Sequence, residues 1–322
     1  MRAACVAEGG VQVRDVPVPR PKPNEILVAV RAASLNRADL GVAAGHRHGA
    51  IGGPGTIPGL EWAGEIVEVG GEVEGYRPGD RVMCSGAGGY AQFAVTDFGR
   101  VAPIPDGMSF ETATTLPLAL QTMHDAIVTH GRLGPGDSIL IQGASSAVGL
   151  MGLQIARRLG AAVVVGSSTN AERRARLPEF GATHVVDTGD PAWPDQVREA
   201  TGGTGVNVIV DQISAPVANG NMQAAAVLGR IVNVGRLGGS KGEFDFDLHA
   251  LKRISYIGVT FRTRSVEEVR EINRKMRADL WDAVTTGELH LPIDQAFPLD
   301  EVQDALARMR QNQHFGKILL IP

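Results

Sequence analysis

Residues 138–174, SILIQGASSAVGLMGLQIARRLGAAVVVGSSTNAERR, constrain the fold more than any other part of this chain. Residues 138–142 are a short apolar run that reads as a buried strand. Residues 143–149 carry no bulky side chain. Residues 150–159 then place apolar side chains at helical spacing, and 161–166 form a second buried strand. Strand, tight turn, helix and strand make one βαβ unit, and the turn leads straight into a helix N-terminus. Free N–H groups and the helix dipole favour an anion there, so the position suits a pyrophosphate.

The turn departs from the usual G-x-G-x-x-G spelling. Ala144 and Ser146 stand where the first two glycines are expected, Gly149 remains, and Gly143 lies one residue ahead. Alanine and serine are small enough for close backbone approach, and Ser146 adds a hydroxyl for a phosphate oxygen. Ala144, Ser145, Ser146, Ala147, Val148 and Gly149 are therefore candidate cofactor contacts. The same small residues would also serve tight helix–sheet packing alone. An NAD-type site places an acid at the end of the second strand. Here the strand ends Gly166-Ser167-Ser168-Thr169-Asn170, with no acid before Glu172, and Arg173 and Arg174 follow. Ser167, Ser168 and Arg173 suit a 2′-phosphate, because guanidinium makes charge-assisted bonds to phosphate. NADPH is the expected cofactor. The alternative is that the arginines only solvate a helix start.

The chain has 322 residues, enough for two domains, and 43% of them are hydrophobic. Lys plus Arg number 31 against 35 Asp plus Glu, a net charge of −4, which offers no footprint for nucleic acid or an anionic membrane. No apolar run approaches the ~20 residues that span a bilayer, and residues 1–8 lack a signal-peptide pattern. Cys5 and Cys84 cannot make a disulfide framework, so a cytoplasmic location is expected.

The first ~115 residues read as short strands punctuated by Gly and Pro, including 25–32, 64–69, 81–83 and 91–95, the pattern of a small β-barrel or sandwich. Residues 17–23 are a proline-rich extended connection, and 45–58 a glycine-rich surface loop. From Phe110 the pattern changes. Residues 111–133 are largely helical with an interruption at Pro117. Strand and helix then alternate through 184–187, 193–201, 206–211, 216–228 and 230–234, with 255–261 as the last strand. This is a doubly wound parallel sheet. A helix over 267–286, a strand over 294–298, a helix over 299–311 and a strand over 317–321 return to the β-rich domain.

Several segments taken together resemble the medium-chain dehydrogenase/reductase superfamily: Gly64-Glu65-Ile66-Val67-Glu68-Val69-Gly70, Pro78-Gly79-Asp80-Arg81-Val82, the GASSAVG turn and Phe315-Gly316-Lys317-Ile318. Asn36-Arg37-Ala38-Asp39 and Gly59-Leu60-Glu61 are similar to its quinone oxidoreductase (zeta-crystallin-like) branch, and most to the stress-induced NADPH:quinone reductase subgroup. The resemblance covers essentially the whole chain. It implies an α/β fold with a GroES-like β-barrel catalytic domain (1–118 and 262–322) and a Rossmann doubly wound NADPH-binding domain (119–261).

The resemblance also implies a zinc-independent enzyme. Zinc alcohol dehydrogenases need Cys where this chain has Asn36 and His where it has Leu60, and neither replacement suits zinc. The four closely spaced cysteines of a structural zinc lobe are missing. Hydride delivery to a quinone or an α,β-unsaturated carbonyl is therefore expected. Asn36 is implied to face the nicotinamide and substrate, Asp39 to shape the same pocket, and Thr122 to contact the nicotinamide end. Asn36 and Asp39 equally suit a turn or helix cap. Val234, Gly235 and Arg236 end a strand at the carboxyl edge of the sheet, Phe261 and Arg262 end the last strand, and Lys317 is placed to reach the cofactor cleft. Arg47 stands at about the position of a loop tyrosine in relatives, and Arg47 and His48 are candidate substrate contacts. His46 and His124 are lesser candidates. The alternatives are an enoyl-thioester reductase, with Arg47, Arg262 and Arg264 as a basic patch, and an NADPH-binding protein with little catalysis. A homodimer through residues 255–261 is expected, with no nucleic-acid or membrane partner.

Overall fold

The computed structural model describes residues 1–49 and 51–322, which divide into two units: Met1–Leu118 with Phe261–Pro322, and Ala119–Thr260. The first unit opens with an antiparallel hairpin, β1 (Arg2–Ala7) and β2 (Gly10–Asp15), that the sequence reading does not anticipate. Five strands follow: β3 (Glu25–Ser34), β4 (Glu61–Val69), β5 (Arg81–Ser85), β6 (Phe93–Asp97) and β7 (Val101–Pro103). Helix α1 (Arg37–Ala43) lies between β3 and β4, and α2 (Phe110–Ala113) follows β7. The strand expected at 91–95 begins later, at Phe93. Tyr90 and Ala91 instead pair singly with β1, through the Ala4 N–H to the Tyr90 carbonyl (2.8 Å) and an isolated bridge from Ala3 to Ala91.

The expected long helix over 111–133, which passes from the first unit into the second after Leu118, is broken. Helix α3 (Pro117–His124) starts at its proline, which needs no intrahelical N–H partner at that position. Its continuation, Asp125–His130, widens into a π-turn closed by the Gly131 N–H on the Ala126 carbonyl. Six parallel strands then build the sheet: β8 (Ser138–Ile141), β9 (Val163–Ser167), β10 (His184–Val186), β11 (Val206–Asp211), β12 (Ala225–Asn233) and β13 (Ser255–Gly258), in the order β10-β9-β8-β11-β12-β13. Their crossovers carry α4 (Ala147–Arg158), α5 (Ala171–Ala175), α6 (Trp193–Ala200), α7 (Ala218–Ala224) and α8 (Phe246–Lys252). The core joins Leu140, Val165, Ile209 and Ile231 to Trp193, Val197 and Met222.

Two boundaries need correction. The helix expected to run to Leu228 ends at Ala224, and β12 starts at once. Leu228 takes φ 63° and the β11–β12 register slips between Val206 and Val208. The apolar Val227 and Leu228 are thus pushed outward at an irregularity (56% and 60% exposed) rather than lying on a helix face. The last strand stops at Gly258, short of Phe261.

The chain then returns to the first unit through α9 (Val266–Thr285), β14 (Ile293–Pro298), α10 (Val302–Gln311) and β15 (Lys317–Ile321). That unit's sheet runs β14-β15-β3-β4-β5-β7, with β6 also on β3. β3 is the hub, and its buried Ile26, Val28 and Val30 pack with Trp62, Tyr90, Ile66, Ile318 and Leu320. Among the described residues, no helix is long and apolar enough to cross a membrane.

Candidate active site

The antiparallel register around β3 assembles a polar cluster inside the first unit. Ser34 pairs with Glu61 on β4 and with Leu319 on β15. Two residues further on, where β3 has ended, Asn36 comes opposite Lys317. The Lys317 ammonium donates to Oδ1 of Asn36 (2.9 Å) and to Oε1 of Glu61, with which it forms an ion pair. The Asn36 amide nitrogen donates to the same Glu61 oxygen (2.9 Å), and the Ser34 hydroxyl adds a third bond to it (2.6 Å). The second Glu61 oxygen accepts the Leu118 N–H (2.9 Å) at the start of α3, where the dipole favours negative charge. Lys317 is 2% exposed and Glu61 is fully buried. A pair this deep persists because further hydrogen bonds satisfy the carboxylate.

Asn36 is also the N-cap residue of α1, in an extended conformation, so the capping role and a place in the site coincide. Its backbone N–H donates to Oδ2 of Asp39 (2.8 Å), and the Tyr90 hydroxyl donates to the same oxygen (2.8 Å). Asp39 is fully buried and its Oδ1 has no hydrogen-bond partner among the described residues. Burial pushes the Asp39 carboxyl up to about 6, against the bonds from Asn36 and Tyr90. The same burial, with Asp39 beside it, holds the Tyr90 phenol well above its ordinary range.

In the second unit the expected turn lies at the carboxyl ends of β8, β9, β11 and β12. Ser146 is the N-cap of α4: its hydroxyl accepts the Gly149 N–H (3.0 Å) and donates to the Gly143 carbonyl and to Gln212 Oε1. Gly149 permits a close approach, since a Cβ there would lie 2.6 Å from the Ala144 Cα. Gly143, Ser145, Ser146, Ala147 and Val148 remain partly accessible, as an anion site at this turn requires. The residues present therefore fit a dinucleotide pyrophosphate.

The other expected cofactor residues divide. Ser167 is buried; its hydroxyl donates to Gln142 (2.6 Å) and accepts the Gly143 N–H (3.0 Å), so it ties the strand to the turn. The Ser168 hydroxyl reaches that of Ser145 (3.0 Å). Arg174 is held by the Ser168 carbonyl (2.6 Å) and Asp187 (2.9 Å), whereas Arg173 sits half-buried on α5. Val234 and Gly235 follow β12, anchored by the Asp211 carbonyl, and Arg236 is exposed. Thr122 is half-buried on α3 and His124 is buried there. In the first unit, Phe261 is half-buried while Arg262, His46 and Arg47 are exposed. His48 makes a bridge to Ile51, and burial together with Arg262 lowers its pKa.

Sequence reasoning missed Ser34, Tyr90, Gln142, Gln212 and Asn221 as site residues, and saw Glu61 only as part of a motif. Gln142 donates to Asn221 (2.7 Å), which in turn donates to the buried Asp211 (3.1 Å). A signal was available: Gln142, Asp211 and Gln212 are polar residues ending apolar strands, at the sheet edge where ligands bind.

Asn36 Oδ1 already accepts from Lys317, Leu60 offers no donor atom, and no group of three His, Cys, Asp or Glu among the described residues is placed to hold a metal.

A family profile for the alcohol dehydrogenase GroES-like domain matches residues 22–106, and one for zinc-binding dehydrogenases matches 147–277. The chain belongs to the medium-chain dehydrogenase/reductase superfamily. Proteins similar to it include Quinone oxidoreductase-like protein 2 of Rattus norvegicus, 29% identical over 94% of this chain and 86% of that protein. Highly reducing polyketide synthase 40 of Fusarium pseudograminearum is 30% identical over 92% of this chain. The chain spans only 12 to 14% of the length of the polyketide synthases heading its curated relatives. A mycobacterial protein solved in complex with NADPH superposes with a TM-score of 0.88 at 26% identity, covering the whole of both chains. The fold is that of a nicotinamide-dependent oxidoreductase in this superfamily, with a GroES-like domain and a Rossmann-like parallel sheet.

Proposed function

We propose that the chain is a cytoplasmic, zinc-independent NADPH-dependent reductase of quinones or α,β-unsaturated carbonyl compounds. The observation that carries this reading is the Asn36 amide, held between Lys317 and Glu61 where zinc enzymes of the superfamily have a cysteine ligand. When bound, the nicotinamide supplies the hydride. The chain's own part is to stabilise the charge that develops on the acceptor. One Nδ2–H of Asn36 is spent on Glu61, which leaves the other to donate to the acceptor's oxygen as it becomes negative. Conjugated acceptors suit such a site, because delocalisation spreads the charge that one neutral donor must meet. The GASSAVG turn with Ser168 and Arg173 supports NADPH.

A second reading, enoyl-thioester reduction, is favoured by the polyketide synthase relatives and by the closeness of Arg262 to the 46–49 loop. A Cβ on Gly49 would lie 2.9 Å from the Arg262 carbonyl oxygen. Arg47, Arg262 and Arg264 would then meet the phosphates of a carrier. We also propose a homodimer, supported by the position of β13 at the sheet edge and by the grouped rings of Phe244, Phe246 and Tyr256, with Phe246 77% exposed.

The deciding experiment is an NADPH-oxidation screen over ortho-quinones, para-quinones, enones and enoyl-CoA, repeated with NADH. Quinone or enone turnover is expected, and Asn36→Ala should lower it about 100-fold while changing NADPH affinity little. Unchanged turnover in that variant removes Asn36 from the mechanism. Turnover of enoyl-CoA alone favours the second reading, and none with any acceptor leaves a binding protein.

A further inference from the structure

We propose that Lys317 is a positioning residue: its buried ammonium sets the orientation of the Asn36 amide and strengthens its free N–H as a donor. An ammonium only donates and a carboxylate only accepts. With Lys317 on one side and Glu61 on the other, the amide oxygen must face Lys317 and the nitrogen must face Glu61. Turning the amide over would set its NH2 against the ammonium and its oxygen against the carboxylate, losing both bonds and adding two repulsions. One rotamer of Asn36 is therefore selected by a charge pair that is itself immobile, being buried at 2% and 0% exposure and anchored by Ser34 and Leu118.

The second effect is electronic. A cation on the amide oxygen withdraws density from nitrogen, as chained hydrogen bonds do in a low-dielectric site. The remaining Nδ2–H becomes a better donor without the side chain acquiring a charge. Lys317 thus acts on the acceptor only through Asn36 and need not touch it. β15 supplies this group because residue 317 falls opposite residue 36 when Leu319 pairs with Ser34.

This inference rests on the reductase reading, and its test separates the two. Lys317→Met leaves Glu61 buried without its cation and is prone to misfold. The working variant is therefore the double substitution Lys317→Met/Glu61→Gln, in which residue 61 still accepts from the Asn36 nitrogen while the cation is gone. With selectively 15N-labelled asparagine, the Asn36 NH2 pair is identified by its loss in Asn36→Asp. It is expected to move upfield in nitrogen and toward averaged proton shifts in the double variant, and to stay near its wild-type position in Lys317→Arg. An unmoved pair in the double variant overturns the proposal. Kinetically, kcat for the best quinone or enone should fall about 100-fold in the double variant, with KM and NADPH affinity within about threefold. Lys317→Arg should restore at least a tenth of the wild-type kcat. A kcat unchanged while the resonance moves also overturns it. If the wild-type protein oxidises NADPH with no acceptor, the reductase reading fails, whereas the amide resonance still decides whether Lys317 orients Asn36.

Discussion

Lys317 and Asn36 lie opposite one another at the end of the β3–β15 ladder, with the ammonium nitrogen 2.9 Å from the amide oxygen across 281 residues of sequence. Glu61 closes the triangle by accepting from both. The cluster is as much a folding element as a chemical one, since three strands must be in register for any of its bonds to exist.

Glu61 is the anion that makes a buried Lys317 tolerable. Glu61→Ala should destabilise the protein by about 3–5 kcal/mol, because it leaves an ammonium with no counter-charge. Lys317→Met/Glu61→Ala should recover much of that loss. Urea unfolding of the single and double variants checks both numbers, and equal stability of Glu61→Ala and wild type would refute the assignment.

Asp39 makes stability depend on pH. Its carboxyl is raised from the ordinary 3.8 to about 6, chiefly by burial. Between those values the folded protein holds a proton that the unfolded chain has released. The group's contribution is therefore fully present below about pH 4 and is lost as the pH rises through 6, by about 3 kcal/mol. Glu61 and Tyr90 face the same carboxyl, with Lys317 opposing Glu61. Asp39→Asn cannot titrate, so wild-type stability relative to that variant should fall from pH 4 to pH 7 in denaturant melts. A flat difference would show that burial does not hold the proton.

At the turn, Gly149→Ala should cost about 1–3 kcal/mol and weaken NADPH binding, because the new methyl meets Ala144 Cα at 2.6 Å and the Gly143 oxygen at 2.7 Å. Thermal melts and a cofactor fluorescence titration on one sample measure both effects.

Arg173 and Arg174 should behave differently despite being adjacent. Arg173→Ala is expected to lower NADPH affinity about tenfold and leave NADH affinity alone, the loss of a charge-assisted phosphate contact. Arg174→Ala breaks the bonds to the Ser168 carbonyl and Asp187 and should lower the melting temperature instead. Matched titrations with the two cofactors distinguish them.

The parallel sheet was legible because its strands and helices keep their own periods: 206–211 was bounded from its apolar run alone, as was 317–321 in the first unit's sheet. The end of α7 was not, since Ala225 to Leu228 continue a helical apolar pattern and only the pairing of Ala225, and then of Arg230 onward, with β11 draws the segment into strand. At the candidate site, Asn36 and Asp39 were found through their motif. Lys317 was expected to reach for the cofactor and instead spends its ammonium on Glu61 and Asn36. No local signal reveals that exchange, because it depends on the register of β15 against β3. Tyr90 escaped for the same reason: its hydroxyl reaches Asp39 across 51 residues.

β15 follows β4 in the chain by more than two hundred residues, and synthesis from the N-terminus therefore separates the two halves of the buried ion pair in time. Glu61 leaves the ribosome 256 residues ahead of its cation. Until residue 317 emerges, the nascent first unit can close its barrel only by burying a lone carboxylate, which favours waiting over premature collapse. β15 therefore acts as a completion signal, because the reactive centre gains its keystone only when Lys317 docks against Asn36 and Glu61.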